Sequence, residues 1–96
     1  MIFRSESITV ADTAIGFTTS ILDAARKETG RDVKEINCSN AANEIRVWED
    51  GTDPSTTVGH IIASGDAFTI DGADARTFRA IRTGASSGII SASYKV

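Results

Sequence analysis

The spacing of turn signals constrains this chain more than anything else in it. Eight glycines occur in 96 residues, and they sit in or beside polar clusters: IGFTT, TGRD, EDGTDPSTTVGH, SGD, IDGAD and RTGASSG. Between the clusters lie short stretches rich in Ile, Val, Phe and Thr, the residue types that favour a pleated, half-buried backbone. Short strands divided by turns every ~8–12 residues predict a sandwich or barrel. The expected fold is all-β: a small antiparallel β-sandwich, jelly-roll-like, of about seven to eight short strands. One short helix near residues 20–28 completes it.

Strands are expected at about residues 2–10, 14–18, 33–38, 43–48, 57–62, 67–70, 76–82 and 88–95. In NEIRVW, Ile45 and Val47 face one way and Arg46 and Trp48 the other. Phe68 and Ile70 share a face, as do Ile90, Ala92 and Tyr94, with Ile89 and Ser91 opposite. Phe78 and Ile81 cannot share a face of a regular strand, so RTFRAIR needs either a bulge or a helical turn. TSILDAARKETG reads as helix. Ser20 and Asp23 form a loose capping box, Ala24 to Lys27 are good helix formers, and Gly30 is the C-terminal cap.

A chain of 96 residues is one small domain, residues 1–96. At this size only roughly 60–70% of the unfolded surface becomes buried, so association with a partner subunit is expected. Net charge is −3 with mixed signs and no basic block, which argues against phosphate-driven nucleic-acid binding. No apolar run approaches the ~18 residues of a membrane span. MIFRSESITV lacks the apolar segment of a signal peptide, and both ends are expected to be native. The single cysteine, Cys38, cannot form a disulfide within the chain and fits a reducing cytosol.

Reactive chemistry has little to build on. His60 follows Gly59 at a strand start; Ser55, Thr56 and Thr57 are near it in sequence, but nearness makes no triad. It is expected to hydrogen-bond a turn. Asp50, Asp53, Asp66, Asp71 and Asp74 cluster in turns, where Asp is favoured for bonding its own backbone. DGTD and DGAD lack the alternate acids and distal Glu of a calcium loop. One His and one Cys are too few for a zinc site. No Walker loop, G-x-G-x-x-G or G-x-S-x-G is present. A non-enzymatic protein with no cofactor or metal is expected. Trp48, opposite Ile45 and Val47, is an interface anchor, a sugar-stacking platform, or a residue covered by a neighbouring loop.

The stretch IRVWEDGTDPSTTVGHIIASGDAFTIDG followed by FRAIRTGASSGIISASYKV resembles small virion proteins of tailed bacteriophages. The matching elements are Asp50 to Ser55, Gly59 to Ile62, Gly65-Asp66, Phe68 to Ile70, Phe78 to Arg82, and Tyr94. They span about residues 43–96, while the first forty residues match only loosely. The D-G-x-x-P turn also looks like one in accessory β-sandwiches of carbohydrate enzymes. The resemblance implies a capsid decoration or cement protein, located in the virion and made in the host cytoplasm. Its partners would be the major capsid protein and copies of itself, as homotrimers at three-fold positions. Contacts would run through the N-terminal segment (Ile2, Phe3, Arg4) and through Trp48, Asp50 and Asp53. The alternative is a tail-associated or carbohydrate-binding attachment module. EDGTDPSTTVGH itself is expected to be a structural turn, stiffened by Pro54.

Overall fold

The computed structural model describes all 96 residues. In chain order they form β1 (Ile2–Val10), α1 (Thr19–Thr29), β2 (Glu35–Asn40), β3 (Ile45–Trp48), β4 (His60–Ile62) and β5 (Ala67–Asp71). A 3-10 turn (Gly72–Asp74), β6 (Arg79–Arg82) and β7 (Gly88–Lys95) follow. One sheet has the order β1-β7-β2-β5 and the other β4-β3-β6, and every pairing is antiparallel. The fold is therefore all-β with one helix, built from seven strands.

Alternation sets the core. On the first sheet Ile8 and Val10 of β1, Ile90, Ala92 and Tyr94 of β7, Ile36 and Cys38 of β2, and Ile70 of β5 are buried. On the second sheet Ile45 and Val47 of β3 and Ala80 of β6 join the same apolar cluster. Removing each buried Ile or Val from water contributes about 1.5–3 kcal/mol before entropy is counted. Phe17 and Phe78 stack with centroids 4.4 Å apart, and Tyr94 meets Phe17 edge-on at 5.9 Å. Both pair types are geometries that the aromatic quadrupole favours.

Asn40 is the one fully buried polar side chain, and all of its bonds are made. Its amide donates to the carbonyls of Asn43 (2.8 Å) and Ile62 (3.1 Å), and its oxygen accepts from Ala42 N–H (3.2 Å). Ile62 lies on β4, so this side chain of β2 ties the two sheets together.

α1 buries Leu22 and Ala25, three apart and so on one helical face, in the common core. Arg26 and Lys27 occupy its last turn, where cations suit the helix dipole. Gly30 ends it in the left-handed conformation (φ 73°), its N–H bonded to Arg26, as expected of a C-terminal cap. The start differs from expectation. The N-cap residue is Thr18, and no side chain caps the helix. Ser20 and Asp23 form no capping box, because the helix begins at Thr19 and both lie within it; the Asp23 carboxylate pairs instead with Arg76 at 2.6 Å.

Two expected strands are also corrected. Residues 14–18 contribute a single bridge, Ile15 to Ala80, in place of a strand. Gly16 is packed so closely on Phe78 and Arg79 that an added Cβ would lie 2.7 Å from the Phe78 carbonyl oxygen. The expected strand 76–82 begins only at Arg79. The preceding 3-10 turn and the turn after it resolve the Phe78 and Ile81 conflict: Phe78 is buried ahead of the strand, and Ala80 is the buried residue within it. Helical turn rather than bulge is the outcome.

Gly72 opens that turn because nothing larger fits. Its N–H bonds to Lys34 O (2.8 Å), which brings the backbones together. A Cβ there would lie 1.9 Å from the carbonyl oxygen of Val33. No helix in the fold is long and apolar enough to cross a membrane.

Candidate functional site

The loop from Glu49 to Gly59 joins β3 to β4, and its side chains are used to hold its own shape. The Asp50 carboxylate accepts from Thr52 N–H at 3.0 Å. That N–H, and then the Thr52 hydroxyl, hold the Asp50 carboxyl below its ordinary value. Pro54 is buried. The Ser55 hydroxyl accepts from Val58 N–H (3.0 Å) and Thr57 N–H (3.3 Å), while Ser55 N–H donates to Val58 O (2.9 Å).

Arg46 pins the loop from beneath. Its guanidinium donates to Gly59 O (2.8 Å) and Thr56 O (3.3 Å). Gly59 has φ 131°, a conformation L side chains rarely adopt, and a Cβ there would meet Pro54 at 3.1 Å. The expected structural turn is what this segment forms. The other Asp turns repeat the device: Asp71 accepts from Ala73 N–H (2.8 Å) and Asp66 from Ala63 N–H (3.2 Å). No three His, Cys, Asp or Glu side chains converge anywhere in the fold.

His60 corrects the expected hydrogen bond to a turn. Its ring packs edge-on against Trp48, centroids 5.0 Å apart and planes at 73°. Trp48 is half-buried, on the face opposite Ile45 and Val47 as the alternation requires. Cross-strand register places Ile61, Arg46 and Ile81 in one row of that outer face, with Trp48 and Arg79 in the next. Ile61 is 52% exposed, and Val58 in the adjoining loop 53%. Arg46 and Arg79 bond backbone carbonyls, so neither charge is neutralised by a carboxylate.

The six residues expected at an interface fall into two groups on different sheets. Ile2, Phe3 and Arg4 begin β1, beside the end of β7. Ile2 is exposed, but Phe3 packs against the core. The Arg4 guanidinium lies over the Phe3 ring at 4.3 Å and pairs with Glu28 at 3.1 Å. Trp48, Asp50 and Asp53 belong to β3 and its loop, and both acids are exposed.

A third cluster was missed by sequence reasoning. The Glu6 carboxylate on β1 accepts from Thr18 Oγ (2.6 Å), Thr18 N–H (3.2 Å) and the Tyr94 hydroxyl on β7. Burial, then the bond to Glu6 and its charge, push the Tyr94 phenol well above its ordinary range. The signal was legible: Glu6 has the parity of the buried Ile8 and Val10, so it is an acid on the core face of a strand.

The largest recess has a volume of about 430 Å³ and is lined by Leu22, Asp32, Val33, Gly72, Ala75 and Arg76. It contains no hydroxyl or thiol nucleophile and no histidine. Cys38 is buried in the core, where desolvation pushes its thiol up to about 12 and away from nucleophilic use. The chain matches no protein-family model, and comparison with curated proteins and with solved structures likewise finds no match.

Proposed function

We propose that this chain is a non-enzymatic structural protein of a tailed-phage virion, most simply a capsid decoration protein that adheres to neighbouring capsid subunits. The observation that carries the reading is the outer face of the β4-β3-β6 sheet. Half-exposed Ile61 stands beside Arg46, Ile81, Trp48 and Arg79, with Val58 exposed in the adjoining loop, the mixture of apolar, aromatic and arginine side chains enriched in protein interfaces. The fold's loops spend their polar groups on their own backbones, which suits a rigid adhesive surface better than a reactive one. The resemblance of residues 43–96 to phage virion proteins supplies the partner.

Carbohydrate attachment is the second reading, and it rests on Trp48, whose ring is half-exposed beside His60. One pair of assays separates the two. Trp48→Ala should weaken binding to capsids stripped of the protein by about 2 kcal/mol, as loss of an aromatic anchor does, with the fold retained. Unchanged capsid occupancy with lost binding to host polysaccharide would favour the attachment module. Loss of neither, with a large fall in melting temperature, would remove both roles from Trp48.

A further inference from the structure

The first sheet ends in a strand whose outer main-chain edge is unpaired. β1 is nine residues long, and its only strand partner is β7. No backbone or side-chain hydrogen bond from elsewhere in the chain reaches a main-chain group of residues 2–10. The competing edges are weaker templates. β4 has three residues, β5 has five, and β6 is flanked by the bridge at Ile15 and the bond from Arg82 N–H to Ala11 O. A long unpaired edge is an open invitation to strand addition unless Pro, Lys, a bulge or an inward-pointing charge blunts it. β1 contains no Pro and no Lys, its irregularity lies at its very start, between Ile2 and Arg4, and its inward charge, Glu6, is already bonded by Thr18 and Tyr94 within the chain.

We propose that β1 pairs antiparallel with β1 of a second copy of this chain, about a two-fold axis at Ser7. The regular part of the strand, residues 4–10, has Ser7 at its centre, so this register gives the longest overlap. It sets Ser7 on Ser7 of the second copy and Ser5 on Thr9. Ser5, Ser7 and Thr9 are exposed, small and uncharged. Hydroxyl pairs of this kind stabilise strand neighbours, and Ser5 already makes one with Ser93 of β7 at 3.3 Å. On the opposite face Glu6 meets Ile8, and Arg4 meets Val10. Centring the pair on Glu6 instead would set carboxylate against carboxylate, which opposes that register.

Two four-stranded sheets would thereby join into one of eight, with an isologous interface. The two-fold pair takes the place of the homotrimer that the resemblance implies, and it does not depend on the proposed adhesive role. Its test uses only the purified protein, so either idea can fail without the other.

Native mass spectrometry at micromolar concentration should show a dimer. Ser7→Glu and Ser7→Lys should each raise the dimer dissociation constant at least ten-fold, because like charges then meet at the axis. Mixing the two variants should restore a one-to-one heterodimer, an outcome a merely damaged fold cannot give. In a Cys38→Ser background, Ser7→Cys should form an intermolecular disulfide on mild oxidation. Directly opposed strand residues lie about 4.5–5.5 Å apart at Cα, within disulfide reach. Ser5→Cys alone should not, since two copies of residue 5 would stand about 13 Å apart along the strands. It should cross-link when mixed with Thr9→Cys. A wild-type monomer, a trimer, or a dimer indifferent to charge at residue 7 would each overturn the proposal.

Discussion

The hydroxyl of Tyr94 donates a hydrogen bond to the carboxylate of Glu6, a residue 88 positions away in the chain. The same carboxylate takes both the N–H and the hydroxyl of Thr18, the N-cap residue of α1. One acid on β1 therefore joins β7 to the helix start. The Thr18 hydroxyl is aimed at Glu6 and makes no bond to the first turn of its own helix.

Tyr94→Phe should cost about 1.5–3 kcal/mol, the range for a hydrogen bond to a charged acceptor. Glu6→Ala should cost at least as much, because the buried Tyr94 hydroxyl and the Thr18 N–H then lose their partner. In a double-mutant cycle by urea denaturation the two should couple by about 1 kcal/mol or more. Strict additivity would show that the pair is not an interaction in solution.

Stability should fall on the alkaline side. Tyr94 is raised above its ordinary 10.0, and Cys38 is raised from 9.0 to about 12. For both groups the folded state holds the proton more tightly than the unfolded state. Their contribution is complete below the unfolded values and is lost as pH rises through the folded ones. The urea midpoint should decline from about pH 9 upward. The chain has one tyrosine, so the pH-dependent rise in absorbance at 295 nm reports Tyr94, while the Trp48 contribution stays constant. Tyrosinate should appear together with the loss of β-sheet circular dichroism. Ionisation near pH 10 in a folded protein would contradict the burial described here. A thiol reagent should likewise modify Cys38 only at the rate of unfolding.

Asn40→Ala should destabilise the fold by about 1–3 kcal/mol, since it strips partners from part-buried main-chain groups at Ala42, Asn43 and Ile62. Hydrogen exchange should then speed up first in β4, the strand Asn40 holds. Protection unchanged at Ile62 would mean that water replaces the amide there.

Gly72→Ala should cost more than any surface change. With 1.9 Å to the Val33 carbonyl oxygen, the backbones of the turn and of the approach to β2 must separate. Gly65→Ala, at a positive φ but with nothing within 4 Å of its Cβ, is the comparison. Its cost should be only about 1 kcal/mol, from the backbone conformation alone. Equal melting temperatures for the two variants would refute the close approach at Gly72.

The sequence by itself determined the elements whose cause is local. Short apolar stretches between turn signals placed β1 at residues 2–10 and β7 at 88–95, and alternation set Ile45 with Val47 on one face and Ile90, Ala92 and Tyr94 on one face, which are the faces buried in the fold. Gly30 ended the helix, and Asp50-Gly51 turned the chain, because caps and turns depend on neighbouring residues. What the tertiary structure decided concerns partners far apart in the chain. Residues 14–18 have the composition of a strand, yet close packing of Gly16 against Arg79 and Phe78 leaves them one bridge to β6. Ser20 and Asp23 read as a helix start, yet the helix begins at Thr19 and Asp23 pairs with Arg76. Glu6 shares the parity of Ile8 and Val10, but only the fold brings it Tyr94 and Thr18 as partners. Dihedral preferences act over a few residues, whereas a buried polar group is satisfied by whatever the packed chain sets beside it.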